Sequence, residues 1–222
     1  MTTLDDIRPQ QAARLLAEFA LLYVAAPLVL ALLLPARWMF PMLFAVTAIG
    51  LVLLHLTPGF HWRELWQGRE RIVPRAVWGI GALVLGFGAV FLWLTQPEAL
   101  FALTRARPGL LLMILLLYPV LSALPQEVVY RALFFRRYRP ILPAGPEARL
   151  LLNAGIFALG HLMYWSWLVA GMTFLGGLAF GWAYERRRSF PMAVLMHAVA
   201  GNAIFLVGLG LHFYSGNAQR PF

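Results

Sequence analysis

The chain alternates between long apolar runs and short polar breaks that carry arginine. Apolar runs occupy 17–35, 38–56, 76–95, 109–125, 149–165, 168–184 and 190–213. A helix needs roughly 20 predominantly apolar residues to cross a bilayer, so each run predicts one membrane-spanning helix. The fourth is expected to continue as helix through Phe135, because no Gly or Pro interrupts it after Pro125. Pro125 itself should kink that helix, since proline lacks a backbone donor and its ring crowds the preceding turn. The stretch Thr57 to Arg75 is polar, with Trp62 and Trp66, and reads as a loop with room for a short interfacial helix as an eighth element. The expected architecture is all-α: a polytopic transmembrane bundle of about seven to eight helices, forming a single integral-membrane domain over 1–222.

Composition agrees with the pattern. Hydrophobic residues make up 61% and charged residues 12%, against about 45–50% and about 25% in soluble domains. The net charge of +9 comes from arginines in short clusters between apolar runs, which is how cytoplasmic loops look, so no nucleic-acid partner is expected. Every basic residue is Arg and none is Lys, the usage of a GC-rich bacterial genome. There is no cysteine, which excludes disulfides and thiolate metal sites. The segment Met1 to Arg14 is polar, with Asp5 and Asp6, and lacks the basic start, apolar core and small-residue cleavage site of a signal peptide. The first span is therefore expected to stay in the mature protein. Arginine is plentiful in the N-terminal segment and in alternate connections after it (Arg63 to Arg75, Arg136 to Arg149, Arg186 to Arg188). The other side holds only Arg37, Arg105, Arg107 and Arg220. The positive-inside rule then predicts a multi-pass protein of the bacterial inner (plasma) membrane, N-terminus cytoplasmic and C-terminus outside.

One arginine belongs to no loop. Arg131 lies in the apolar helix of the fourth run, four residues after Glu127, a spacing that puts both side chains on one face with the acid first. Charged residues at bilayer depth cost about 2.5–3.5 kcal/mol each on insertion scales and are functional by default. The bland alternative is a buried ion pair that only locks two helices. His161, in Phe157-Ala158-Leu159-Gly160-His161, sits near one end of the fifth run with Asn153 two turns earlier, and His197 lies inside the seventh. Alone, each histidine would read as a helix-bridging hydrogen bonder; beside Glu127 and Arg131 they read as a site. His55, His61 and His212 fall at span ends or in loops and read as interfacial. Gly171, Gly176, Gly177 and Gly181 in the sixth run predict close helix packing, and Tyr164, Trp165 and Trp167 an interface.

In order, Glu127-x-x-x-Arg131, Phe157-x-x-x-His161, a Gly-rich helix and Ser189-Phe190-Pro191 leading to His197 resemble the CPBP family of CAAX proteases and bacteriocin-processing enzymes. That family is also called Abi or type II CAAX prenyl endopeptidase. The resemblance covers about 110–214, and no single motif carries it. It implies an intramembrane endopeptidase, with 1–108 as N-terminal scaffold spans and 109–215 as the catalytic core. The family's Glu-Glu-x-x-x-Arg falls on Gln126, Glu127 and Arg131, and its His-x-x-x-Asn on His197 and Gly201. Two positions depart from it. The glutamate usually assigned to water activation is Gln126 here, and the asparagine is displaced to Asn202, about 140° round an ideal helix from His197. Glu127 serving as base in a Gln-Glu subgroup, an inactive relative, and an introduced Glu→Gln change all stay open.

The chemistry expected from these residues is peptide hydrolysis on a membrane-anchored or lipidated peptide or protein. Glu127 and His161 activate a water, help worth about 10²–10⁴ in rate, Arg131 orients the carboxylate, and His197 with Asn202 faces the oxyanion. No cofactor is required by this scheme. A zinc version would use Glu127, His161 and His197 with an open position for water, although no His-Glu-x-x-His is present. Two non-hydrolytic functions compete: a pseudoprotease that binds substrate tails, and a proton-coupled transporter using Glu127, Arg131 and the histidines as a relay. The transporter reading expects repeated halves, whereas the polar residues cluster in the C-terminal half only.

Overall fold

A computed structural model describes residues 8–218 and 220–221; Asp5 and Asp6 lie outside the described residues. The regular structure of the described residues is all helical, without strands. Seven rods make the bundle: α1 (Pro9–Leu32), α2 (Ala36–His55), α3 (Pro74–Thr95), α4 (Pro108–Arg137), α5 (Pro146–Leu159), α6 (Trp167–Glu185) and α7 (Phe190–Val207). Six are long and apolar enough to cross a membrane. The exception is α5, where the sequence predicts a span: its 14 residues rise only about 21 Å. The chain leaves the helix at Gly160 and turns through Trp165, whose φ is +49°. Gly160 is held glycine by Tyr130, because a Cβ there would meet the Tyr130 hydroxyl. The polar 57–75 segment contains two single turns of 3₁₀-helix, Trp62–Trp66 and Arg69–Arg71, the first closed by a capping box between His61 and Glu64.

Local sequence explains most boundaries. Proline occupies the first turn of α1, α3, α4, α5 and α7, where its missing donor costs nothing. Ser166 and Ser189 cap α6 and α7 by accepting from Val169 N and Met192 N. Helix α4 does run on past Pro125 to Arg137, and the ring is accommodated by a wide π-turn, Pro119–Ala123. That turn contains Leu121, whose carbonyl Pro125 would otherwise crowd. The same device recurs in α1, where the π-turn Leu21–Ala25 contains Tyr23, four residues before Pro27. A third π-turn, Val128–Leu133, has no proline after it and is accounted for by the site described below.

Helix α7 is the centre of the bundle, with 56% of its apolar window buried against at most 33% in the other five candidate spans. It packs on α3, α4 and α6, while α5 and α6 form an antiparallel hairpin. Of the four glycines expected to allow close packing, Gly177 and Gly181 do so: a Cβ on Gly177 would come within 2.8 Å of the Ala154 backbone, and one on Gly181 within 3.2 Å of Asn153 Oδ1. The N-terminal helices are not loosely attached. Leu15 and Tyr23 of α1 and Leu54 of α2 share a core with Val129, Phe134 and Tyr138. Leu33, Leu83, Leu116 and Leu175 are each at least 65% exposed, as lipid-facing side chains of a multi-pass membrane protein should be. Exposed tryptophans mark both ends, with Trp62, Trp66 and Trp78 at one and Trp38, Trp93 and Trp167 at the other.

The Arg-rich end is closed by ion pairs. Arg137 reaches Glu18 of α1 at 2.7 Å, Arg139 and Arg149 share Glu185 at 2.6 and 2.7 Å, and Arg136 meets Glu64 at 3.2 Å. Arg137 also donates to Thr57 Oγ1 and the Leu53 carbonyl, so one guanidinium ties α1, α2 and α4. Glu18→Ala would leave that guanidinium, 6% exposed, without its carboxylate, a loss of up to about 3 kcal/mol. Thermal unfolding in detergent should show a clearly lowered midpoint for Glu18→Ala and almost none for Glu70→Ala; equal shifts would contradict this account.

Candidate active site

The site starts from a packing problem inside α4. Glu127 and Arg131 are fully buried, and the Arg131 Nε lies 3.2 Å from Glu127 Oε2. Buried charges persist only when paired and hydrogen-bonded, and both find further partners on other helices. Asn153 of α5 accepts from Arg131 Nη1 at 2.6 Å and donates from Nδ2 to the Tyr130 carbonyl at 2.7 Å. Arg131 Nη1 also donates to that carbonyl. The guanidinium packs over the Phe157 ring at 4.9 Å and near Phe180 at 5.9 Å. Side-chain donors therefore pull the Tyr130 carbonyl off the helical ladder, and Tyr23 donates to the Val129 carbonyl one residue earlier at 2.7 Å. These insertions account for the third π-turn, a widening that recurs at functional sites.

The other carboxylate oxygen of Glu127 accepts from His197 Nδ1 on α7 at 2.9 Å. A carboxylate only accepts, so Nδ1 is the donor, and in the neutral imidazole Nε2 holds the lone pair. The His197 ring is clamped, stacked on Phe180 at 4.7 Å and 11° and edge-on to Phe157 at 5.5 Å. His161 is oriented by a different acceptor, its Nδ1 donating to the Phe157 carbonyl at 2.8 Å, so its Nε2 is likewise free to accept. No hydrogen bond engages either Nε2 among the described residues.

Both imidazoles border one large apolar cavity of 1710 Å³, and Glu127, Arg131 and Asn153 lie behind its wall. On α4 the cavity face carries a polar stripe at four-residue spacing: Tyr118, Ser122 and Gln126. Gln126 Nε2 donates to Ser122 Oγ at 2.9 Å, and its buried Oε1 has no hydrogen-bond partner. Gln126 thus faces the cavity where Glu127 does not.

The sequence-predicted residues divide accordingly. Glu127, Arg131 and His197 form one bonded group; His161 joins them at the cavity through Phe157; Gln126 lines the cavity one step along α4. Asn202 is not brought in. Its amide donates to the Leu115 carbonyl at 3.1 Å, away from the cavity. An asparagine at Gly201 is prevented by Tyr118, whose ring and hydroxyl occupy the space a Cβ would need. Tyr118 also packs edge-on against His197 at 6.1 Å. Tyr118 and Ser122 received no role from the sequence, although their i, i+4 spacing before Gln126 puts them on its face of the helix. Asn153 was noted only as a neighbour of His161 and turns out to hold Arg131. The three donors considered for zinc do not converge, since among the described residues no group of three or more His, Asp or Glu side chains is arranged to hold a metal ion.

Replacing Asn153 with leucine removes one of the two partners of both Arg131 Nη1 and the Tyr130 carbonyl, which keep only their own 3.2 Å contact, a loss of about 1–3 kcal/mol in all. Asn153→Leu should unfold well below wild type in detergent, and Asn153→Asp, which keeps the acceptor for Arg131, should recover part of the loss; no destabilisation in Asn153→Leu would show that the pair needs no third partner.

No curated protein and no solved structure matches this chain. Residues 108–202, from the first turn of α4 to Asn202 on α7, match the family described as Type II CAAX prenyl endopeptidase Rce1-like; through this segment, fewer than half of the 222 residues but all of the polar site, the chain is similar to a family of proteases.

Proposed function

We propose that the chain is an intramembrane endopeptidase of the plasma membrane, N-terminus cytoplasmic, cutting a membrane-anchored or lipidated protein. The single observation that carries the reading is the Glu127–His197 contact of 2.9 Å beside a cavity. A carboxylate on Nδ1 is what makes an imidazole a general base through Nε2. In this scheme Glu127 acts through His197 rather than on the water directly, because its carboxylate is fully buried and does not line the cavity. Water donates one O–H to His197 Nε2 and the other to His161 Nε2, leaving its lone pair for the substrate carbonyl. As the C–O bond forms, His197 takes the proton and later returns it to the leaving amine nitrogen as the C–N bond breaks. Arg131 and Asn153 hold Glu127 in place. The Tyr118 hydroxyl is the donor for the oxyanion, a contribution worth about 10²–10³. Helices α1 to α3 serve as scaffold around the core of α4 to α7.

Purified protein assayed on peptides or membrane-anchored reporters should lose about 10²–10⁴ of kcat in His197→Ala and in His161→Ala. Glu127→Gln should lose a comparable amount, through a misheld imidazole. Wild-type turnover in His197→Ala with loss in Glu127→Gln would return the role of base to Glu127 itself, the scheme the sequence first suggested.

Gln126 favours a second reading, a pseudoprotease that binds tails without cutting, because the amide rather than a carboxylate faces the cavity. Under it, wild type is inactive and Gln126→Glu acquires cleavage. Under the first reading Gln126→Glu adds little to an activity already present.

A further inference from the structure

The cavity is capped toward one charge face of the bundle and opens at the other, and it is also open sideways to lipid, where Gly79, Leu83 and Leu175 of its lining are exposed. Its deepest lining residues are Val46 on α2, Gly79 on α3, Tyr130 on α4, Phe180 on α6 and Met196 on α7. Each stops at least five residues short of the Arg-rich end of its helix. Beyond them lies the closed layer of ion pairs, Glu18 with Arg137 and Glu185 with Arg139 and Arg149, together with the Ser189 hydroxyl donating to the Gly68 carbonyl at 2.7 Å. None of these residues lines the cavity. At the opposite end the lining continues to Arg107 at the start of α4, to Trp167, and to Phe213, Tyr214 and Ser215 after α7. Trp167 is 94% exposed there.

We propose that, from water, the site is reached only from the Arg-poor face, which the positive-inside rule makes the extracytoplasmic one. The substrate class follows. The protein cut here presents its scissile segment from the outer half of the bilayer or the extracytoplasmic water, and a modified tail exposed only in the cytoplasm does not enter. The occupant is an extended apolar segment of a membrane-anchored protein. The walls are mostly apolar, and at 1710 Å³ the cavity exceeds the roughly 300–1,000 Å³ typical of small-molecule pockets. Along α4 it runs from Arg107 to Tyr130, a rise of about 35 Å. The substrate class rests on the cavity being the protease site; the direction of access does not.

The chain has no cysteine, so single cysteines report access without background and without turnover. Ser122→Cys lies deep beside Gln126. Gly171→Cys lines the cavity where a Cβ meets nothing within 4 Å. Leu103→Cys marks the mouth and Glu70→Cys the Arg-rich end. Each is expressed in a bacterial inner membrane and treated with a membrane-impermeant maleimide, on right-side-out and on inside-out vesicles. Residues 103, 122 and 171 should react in right-side-out vesicles and not in inside-out ones, and residue 70 the reverse. Labelling of 122 and 171 from the cytoplasmic face, or from neither face, overturns the proposal. An inactive enzyme with the expected labelling would count against the protease reading and leave the access route standing.

Discussion

A single buried carboxylate organises this bundle. Glu127 has no exposure to solvent, and a lone charge in that position would be prohibitive. Its two oxygens meet Arg131 on the same helix and His197 on α7. Arg131 in turn needs Asn153 on α5, and Asn153 needs the Tyr130 carbonyl, which costs α4 a regular turn. Three helices are thus held in register by one charge and its partners, and the ring clamp of Phe157 and Phe180 fills the space between them. The polar group sets which helix faces meet, while close approach at glycines and apolar contact supplies the cohesion.

The same arrangement separates holding from reacting. Glu127, Arg131 and Asn153 sit behind the cavity wall, and the imidazoles and the α4 stripe sit in front of it. The carboxylate and the guanidinium are kept away from the cavity, and the two imidazoles border it. Such a division gives the imidazoles a preorganised environment that owes nothing to solvent reorientation. It also explains why Gln126 and Glu127, adjacent in sequence, have different surroundings: neighbouring residues on a helix point about 100° apart, and only one of the two directions meets the cavity.

Much of this was legible in the amino-acid order. Hydropathy placed the spans, and the cost of charge in lipid singled out Glu127 and Arg131 without any structure. Helix α5 was read as a span because 149–165 is apolar enough; that Gly160 is pinned by Tyr130 depends on a contact between helices that no local pattern encodes. Asn202 was enlisted for being one residue from a motif position, yet the 140° turn that made it doubtful does carry it to the Leu115 carbonyl. Tyr118 received no role because nothing local marks a tyrosine in an apolar run as facing a cavity. Its proximity to Gly201 is a tertiary fact, and with it the glycine at the asparagine position acquires a steric reason.

The shortness of α5 decides where the turn after it can lie. Where six neighbours span the hydrocarbon, this one stops at Leu159 and gives way to a turn whose peptide groups cannot be left facing lipid. The turn from Gly160 to Ser166 is accordingly tucked inside the bundle, none of it exposed, with Met163 buried beside Leu30 and Ala31 of α1 and the amides of Gly160, His161, Tyr164 and Trp165 bonded to backbone carbonyls. Ending short inside the bundle, α5 brings its turn, and His161 with it, to the cavity wall instead of carrying them to the membrane surface.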